Sequence, residues 1–337
     1  MTKSAIYYIF RLAKVAMPPK RFWNGLKAAI SYHFSIVGKM VWYGHRPIFI
    51  SIEPSNVCNL HCPECPVGTR TQKIKPVNID VEKTKRVIDR LAPTLMHIIF
   101  YFQGEPFMNP KFLELVRFSR ARNILTSTST NAQLIDNERA RQIVESGLDR
   151  LIISIDGATQ DAYEKYRVGG QLEKAIKTVK DIVEWKKRLS KPNPFIEIQF
   201  IVMRHNEHQI DEIKALARRL KADKLSLKTA QIYDFENGSE LIPITEKYSR
   251  YVKNEQGKYF IKSPLKNSCK RVWDGSVINS KGELLPCCFD KNSDFSFGNI
   301  YIDNFETVWE GKPAELFRKS ILKNRKQYDM CKNCTEQ

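Results

Sequence analysis

Eight consecutive residues, Cys58 to Cys65, have the spacing with the clearest chemical meaning in the sequence. They read CNLHCPEC, so three thiols stand at C-x3-C-x2-C directly after an apolar run that predicts a buried strand. Three thiolates on one short loop can bind three irons of a four-iron cluster and leave the fourth without a protein ligand. The alternatives are buried structural cysteines or a zinc knuckle, although zinc takes four ligands and His61, inside the triad, is poorly placed to be one.

Five further cysteines lie near the C-terminus, with spacings that are also typical of metal ligands. They are Cys269, Cys287, Cys288, Cys331 and Cys334, in the order C-x17-C-C-x42-C-x2-C. Grouped cysteines in a chain of 337 residues favour metal binding in a reducing compartment, because disulfide scaffolds are usually short secreted chains. The sequence therefore predicts a cytoplasmic protein with a second metal site.

The middle of the chain must position these thiols, and its pattern predicts an α/β fold. Helical segments with one apolar face alternate with six mostly apolar segments, which are typical of parallel strands covered on both faces. These strand candidates are 47–53, 96–102, 124–130, 150–156, 195–203 and 223–230. The pattern fits an open doubly wound sheet or a curved partial barrel equally well. We expect three units: a basic aromatic helical extension (1–46), the barrel or sheet (47–255) and a cysteine-rich domain (256–337).

Polar residues follow several of the predicted strands. Glu105 follows the second strand, Asn131 the third, and Ser154 and Asp156 the fourth. Because the C-terminal ends of parallel strands meet at one edge of the sheet, we expect these side chains to face the same pocket as the first cysteine group.

The first 46 residues predict two helices, roughly 4–16 and 20–43, separated at Pro18-Pro19. Residues 1–52 contain eight Lys or Arg and no Asp or Glu, which contributes to a net charge of +18. Three interpretations stay open: helices packed on the barrel with a solvated basic face, peripheral contact with the anionic inner face of a membrane, and RNA binding, which has the least support. The sequence contains no long apolar run that predicts a spanning helix and no signal-peptide pattern.

The first cysteine group, together with Asn59-Leu60 and Pro63, resembles the signature of the radical S-adenosylmethionine (radical SAM) enzymes. The resemblance implies a partial (β/α)6 TIM-like barrel and a [4Fe–4S] cluster whose open iron binds S-adenosylmethionine. It also implies reductive cleavage of this cofactor to a 5′-deoxyadenosyl radical that abstracts hydrogen from a substrate.

The resemblance also implies roles for the polar residues at the strand ends. Gly104 and Glu105 match the element that binds the methionyl amine, Ser154 and Asp156 match the ribose-binding positions, and Arg167 matches the arginine that reaches the carboxylate. Asn131 is a further polar candidate. The sequence departs from the family pattern at Gln103, usually a glycine, and at Glu64, usually an aromatic residue beside adenine.

The C-terminal segment resembles the SPASM/twitch extension of radical SAM enzymes, a small α+β domain that binds auxiliary clusters. Five cysteines fit the single-cluster form, with one [4Fe–4S] cluster held by Cys269, Cys287, Cys331 and Cys334. Cys287 is preferred to Cys288 by its spacing from Gly282, since adjacent side chains in an extended chain point to opposite sides. Tetrahedral zinc is the alternative for this site.

Taken together, these features predict a radical SAM oxidoreductase-like enzyme that oxidises a small polar molecule. We expect this molecule to resemble a sugar or a cyclitol, and lipid-linked molecules of this kind are included. A SPASM-type maturase of ribosomal peptides is the alternative, although 46 residues are few for a separate leader-binding domain. A non-catalytic iron–sulfur or zinc module is the third reading, but such a module does not need Glu105, Ser154, Asp156 and Arg167. We expect an external electron donor such as flavodoxin or ferredoxin, and no catalytic base is assigned.

Overall fold

Six parallel strands alternate with helices along the middle of the chain, which confirms the predicted α/β class and the partial barrel. The computed structural model describes residues 2–335. The six strands lie side by side in chain order. They are β1 (Phe49–Ile52), β2 (His97–Ile99), β3 (Leu125–Thr130), β4 (Arg150–Ser154), β5 (Phe195–Val202) and β6 (Lys224–Thr229).

Helices cover the sheet and connect successive strands. Asp80 and Asp136 cap two of them, each accepting a hydrogen bond from the third residue that follows it. Gly147 ends the second of these with a φ of 79°, a left-handed conformation that glycine adopts without strain. The helices are α3 (Val81–Leu91), α4 (Phe112–Ala121), α5 (Asn137–Ser146), α6 (Gln160–Glu164), α7 (Leu172–Arg188) and α8 (Ile210–Arg219), with short 3-10 turns at Pro106–Met108 and Glu207–Gln209.

The C-terminal segment extends the same sheet on the side of β1. Strand β9 (Gly275–Ile278) pairs in parallel with β1, and β10 (Glu283–Leu285) and β11 (Gly298–Asn299) follow in antiparallel fashion. A hairpin of β7 (Tyr251–Lys253) and β8 (Tyr259–Ile261) precedes it. The remaining elements are the helices α9 (Lys270–Asp274), α10 (Phe305–Trp309), α11 (Lys312–Asn324) and α12 (Asp329–Lys332), and 3-10 turns at Glu246–Tyr248 and Arg325–Gln327. The boundaries at residues 46 and 255 stay predictions.

The N-terminal extension forms the two expected helices, α1 (Lys3–Ala16) and α2 (Pro19–Gly38). Pro19 is the first residue of α2, where its missing N–H removes no helical hydrogen bond. Both helices pack on the barrel. No helix within residues 2–335 is long and apolar enough to cross a membrane.

Candidate active site

The cysteine loop leaves the C-terminal end of β1 and is held by close backbone contacts. A Cβ at Gly104, whose φ is +52°, would lie 2.3 Å from the carbonyl oxygen of Ser55. A Cβ at Gly68 would lie 2.5 Å from the carbonyl oxygen of Cys62. Only glycine fits at these two positions. Gly104 was predicted from the sequence to be important, but Gly68 was not. The only indication for Gly68 is its position three residues after Cys65, the last cysteine of the triad.

The thiols of this loop suit an iron–sulfur cluster. All eight cysteines of the chain are thiols, not disulfides. The Leu60 N–H donates to Cys58 Sγ at 3.5 Å, and Arg167 Nη1 lies 3.9 Å from Cys62 Sγ. Burial raises the pKa of Cys58 to about 11 and also raises that of Cys62. Thiolates here therefore require further positive charge, which iron supplies when it is bound.

Glu105 lies in a fully enclosed position beside this loop. Its carboxylate accepts hydrogen bonds from the Asn131 N–H and the Thr130 hydroxyl, both at 2.8 Å, and from the Phe107 N–H at 3.3 Å. Its own N–H donates to the Val57 carbonyl at 2.8 Å. Burial raises the pKa of Glu105 to about 7 despite these donors. A cation beside the carboxylate would favour its ionised form.

Asn131 joins the end of β3 to the cysteine loop. Its side-chain amide donates to Asn59 Oδ1 at 2.9 Å and toward Cys58 Sγ at 3.6 Å. The strand ends that the sequence grouped are therefore neighbours, with Glu105 and Asn131 in direct contact.

Asp156 and Arg167 form a buried ion pair on the other side of the loop. Arg167 Nε donates to Asp156 Oδ2 at 2.6 Å, and the Ile201 N–H donates to Asp156 Oδ1 at 2.6 Å. Both carboxylate oxygens thus have protein partners, and Asp156 orients Arg167 toward Cys62. Ser154 is buried in the ladder between β4 and β5, opposite Gln199. The ribose contacts expected of Ser154 and Asp156 stay predictions.

Four C-terminal cysteines surround one small cavity, which Arg325 also lines. The cysteines are Cys269, Cys287, Cys331 and Cys334. Arg325 Nη2 donates to Cys334 Sγ at 3.2 Å, and the Phe289 N–H donates to Cys287 Sγ at 3.5 Å. Four thiols with nearby donors suit one fully ligated cluster.

Cys288 lies outside this cavity and packs against Phe102, Val277 and Leu285. The choice of Cys287 over Cys288 is therefore supported by where the two side chains lie. Within residues 2–335 no three Cys, His, Asp or Glu side chains converge as ligands of a single metal ion. Cluster thiolates differ from such ligands because each binds its own iron.

A cavity of about 580 Å³ opens beside Cys65, between the ends of β5 and β6 and the C-terminal domain. Within residues 2–335, three cationic side chains line it, from Lys228, Arg250 and Lys291, and one carboxylate, from Glu64. Tyr233 also lines it, whereas Arg204, another strand-end residue, donates to the Ile242 carbonyl at 3.1 Å. The cavity is therefore mainly basic.

Two positions that depart from the family pattern shape this cavity. Gln103 Nε2 donates to the Lys291 carbonyl at 2.8 Å, which joins the second strand end to the C-terminal domain. Glu64 accepts a hydrogen bond from the Tyr233 N–H at 2.9 Å, and burial raises its pKa. The sequence flagged both residues but gave no indication of their partners, because each lies more than 150 residues away along the chain.

A second cavity of about 490 Å³ continues from the first over the C-terminal domain. Both are lined by Gln231, Tyr233 and Lys291. Together they form a path from the first cysteine loop to the region of Phe295 and Tyr328.

Comparisons with known proteins agree with this arrangement. The family model of the radical SAM superfamily matches residues 52–217, and the SPASM model, an iron–sulfur cluster-binding domain, matches residues 269–335. The mycofactocin maturase MftC of Mycobacterium ulcerans is 26% identical over 310 residues, which cover 86% of this chain and 80% of the relative. The PqqA peptide cyclase of Gluconobacter oxydans is 25% identical, over 81% of this chain and 79% of the relative.

Among solved structures, Streptococcus suis SuiB bound to S-adenosylmethionine has a TM-score of 0.60 at 17% identity, over 81% of this chain and 68% of SuiB. This likeness supports the fold. The two matched domains imply an S-adenosylmethionine-binding cluster and an auxiliary iron–sulfur cluster. The protein belongs to the radical SAM superfamily and carries a C-terminal SPASM domain.

Proposed function

We propose that this enzyme modifies a peptide. The observation that carries the proposal is the path of two cavities that share Gln231, Tyr233 and Lys291 and run from the first cysteine loop over the C-terminal domain. An extended chain needs such a path, whereas a sugar-sized molecule would need only the first cavity. The names of the relatives, a maturase and a peptide cyclase, favour the same substrate class.

We assign the first cluster to Cys58, Cys62 and Cys65, and S-adenosylmethionine to the pocket beside them. When bound, the cluster and cofactor supply the radical that removes a hydrogen atom from the substrate. Glu105 has a pKa of about 7 in its buried position, so the cationic amine of the cofactor would hold it ionised. Arg167, oriented by Asp156, is the candidate for the cofactor carboxylate.

The second cluster is assigned to Cys269, Cys287, Cys331 and Cys334. Four thiolates leave no open iron, so we assign this site to electron transfer or to bracing of the pocket wall. The guanidinium of Arg325 beside Cys334 would stabilise the state of the cluster with the more negative charge. The first cluster requires an external one-electron donor, for which a flavodoxin or ferredoxin is our proposal.

The basic lining of the first cavity suggests which part of the substrate it takes. Lys228 and Lys291 both line this space, in which Glu64 is the one carboxylate among the described residues. A substrate segment with an acidic side chain or a terminal carboxylate would be favoured there over a basic one.

Oxidation of a small sugar-like or cyclitol-like molecule is the other candidate, and it was the main prediction from sequence. The first cavity, at about 580 Å³, is large enough for such a ligand. The relatives give it less support than the peptide proposal.

Anaerobic reconstitution tests the proposal in two stages. Iron analysis and the change of the visible spectrum on addition of S-adenosylmethionine report whether the clusters and cofactor bind. Candidate precursor peptides and a panel of sugars and cyclitols are then compared for substrate-dependent release of 5′-deoxyadenosine and for a change in substrate mass. Turnover of a sugar without turnover of any peptide would refute the peptide proposal. The double variant Lys228→Met, Lys291→Met should selectively weaken the binding of acidic peptides.

A further inference from the structure

The two N-terminal helices expose large apolar side chains, whereas the residues that they bury fully are mostly polar or small. The buried residues of α1 are Ser4, Arg11 and Val15, and those of α2 are Arg21, Asn24, Ala28, Ser31 and Ser35. Helices that only pack on a domain normally place their apolar stripe toward the core. In this pair most of the large apolar side chains face away from the core, although Tyr32 and Ile36 pack against it.

The buried face is anchored through hydrogen bonds. Arg11 Nε donates to Asp149 at 2.9 Å, and both side chains are almost fully buried. Arg21 donates to the carbonyls of Ala92 and Arg122 at 3.0 and 2.9 Å. These contacts fix the orientation of both helices, so the outward direction of the apolar face is set by the fold.

The exposed face is rich in large apolar side chains, which together are here called the N-terminal patch. Within the described chain, thirteen of the twenty large apolar side chains that are exposed belong to it. Trp23 is 58% exposed and Phe34 66% exposed. The full set is Ile6, Ile9, Phe10, Leu12, Met17, Phe22, Trp23, Leu26, Ile30, Phe34, Val37, Met40 and Trp42. A patch of this extent on a protein surface marks an interaction site.

The charged residues of the N-terminal segment are all basic. Five lysines are exposed on these helices and the turn after them, and no Asp or Glu occurs before residue 53. These lysines are Lys3, Lys14, Lys20, Lys27 and Lys39. A cavity of about 580 Å³ beside Trp23 is lined by Lys20, Lys27 and Arg46 and by one acid, Glu310. The surroundings of the patch therefore favour an anionic partner.

We propose that the N-terminal patch binds the surface of an anionic lipid bilayer. Aromatic and aliphatic side chains that enter the acyl boundary, flanked by lysines at the headgroups, are the features of interfacial helices. RNA is disfavoured because Ile9, Val37 and Met40 cannot stack on bases. A second copy of the chain is disfavoured because it would bring a second set of lysines against the first. The proposal is independent of the substrate of the enzyme.

The fold places this patch at the end of the barrel opposite the candidate active site. The contacts of Arg11 and Arg21 are to Ala92, Arg122 and Asp149, which precede strands β2, β3 and β4. Cys58, Glu105 and Asn131 follow strands at the other edge. A bilayer-bound enzyme would thus open its substrate cavity toward the aqueous phase.

Vesicle co-sedimentation of the full-length reconstituted protein tests the proposal. We expect binding to vesicles of phosphatidylglycerol and phosphatidylcholine in equal parts, much weaker binding to phosphatidylcholine alone, and a decrease with salt. The double variant Trp23→Ser, Phe34→Ser should partition at least about tenfold more weakly, since it loses two apolar anchors. The double variant Lys20→Gln, Lys27→Gln should bind anionic vesicles about fivefold more weakly for each lysine removed.

Matched controls change exposed residues elsewhere. Phe260→Ser with Ile302→Ser removes two exposed apolar side chains of the C-terminal region, and Lys247→Gln with Lys281→Gln removes two exposed charges. Both should bind vesicles like the parent chain, and all variants should cleave S-adenosylmethionine in solution as it does. The proposal is overturned if the parent chain does not bind anionic vesicles at low salt, or if the control variants lose as much vesicle binding as the patch variants. It is also overturned if Trp23 and Phe34 instead mediate self-association in sedimentation equilibrium or tight binding of a single-stranded RNA.

Discussion

Replacement of Gly104 by alanine tests how closely the second strand end holds the cysteine loop. The new Cβ would lie 2.3 Å from the Ser55 carbonyl oxygen and 2.9 Å from that of Val57, directly before Cys58. Real Cβ atoms do not approach so closely, so the loop must move. The left-handed backbone at φ +52° adds a separate cost.

The magnitude follows from these two terms. The backbone conformation costs about 1 kcal/mol, and overpacking against the carbonyls costs about 1–3 kcal/mol. The lower entropy of the unfolded alanine chain offsets about 0.4–1 kcal/mol. Gly257→Ala is the matched control, since Gly257 has a φ of +82° and the nearest atom, Lys253 Cε, is 3.6 Å away. The two variants should therefore differ by about 1–3 kcal/mol in the free energy of unfolding.

Thermal unfolding and cofactor titration measure the effect. Each kcal/mol lowers the Tm by about 1–2 °C in a chain of 337 residues, because the entropy of unfolding grows with chain length. We expect Gly104→Ala to unfold earlier than Gly257→Ala and to lose the spectral response to S-adenosylmethionine, which the control retains. Equal Tm values for the two variants would refute the steric argument. An unchanged spectral response would refute the coupling of Gly104 to the cysteine loop.

Three further predictions address the other buried groups. Cys287→Ser should lower the iron content by that of the auxiliary cluster, whereas Cys288→Ser should not, and the opposite result in iron analysis would reassign the ligand. Asp156→Asn should destabilise the protein by roughly 3–5 kcal/mol, because it leaves Arg167 buried without its counter-charge. Arg167→Lys should retain the fold but weaken cofactor binding, as measured by an equilibrium titration. Burial lowers the pKa of His97 to about 4, so the unfolded chain takes up a proton at this residue before the folded protein does. The free energy of unfolding should therefore fall by up to about 3 kcal/mol as the pH falls from about 6.5 to 4. A His97→Gln variant whose pH–stability curve matches that of the parent chain would contradict this.

Local pattern was enough to predict a parallel sheet of strands alternating with helices, whereas the partial barrel was predicted from the resemblance to the radical SAM enzymes. Each of the six predicted segments contains one of the six parallel strands, because most strands covered on both faces are largely apolar. Asp80 and Asp136 predict the starts of helices and Gly147 predicts the end of one, and the structure has these ends there, because each residue acts on the backbone within three residues of itself. The convergence of Glu105 and Asn131 followed from topology alone.

Features that depend on distant partners were not predicted. The sequence does not show that Gln103 bonds to Lys291 or that Glu64 holds Tyr233, since nothing local specifies either pair. Residues 244–252 predict a short helix, but the structure has only a 3-10 turn there, at Glu246–Tyr248. Tyr251 begins a strand instead, because its pairing with the strand Tyr259–Ile261 outweighs local propensity.

The orientation of the N-terminal helices was also beyond local pattern. An apolar stripe on a helix predicts a face toward the core, and here the core side is claimed by Arg11 and Arg21. Only the distant acceptors, such as Asp149, decide the direction.

The parallel pairing of β9 with β1 bears on how the protein can be divided in the laboratory. Strand β1 leads directly into the first cysteine loop, and its outer neighbour comes from residues 275–278. A fragment that stops near residue 255 would leave unsatisfied N–H and C=O groups along β1, and such a bare edge invites aggregation. The barrel should thus be a poor target for expression by itself, and chimaeras that exchange the SPASM domain must carry β9 with a register that still fits β1.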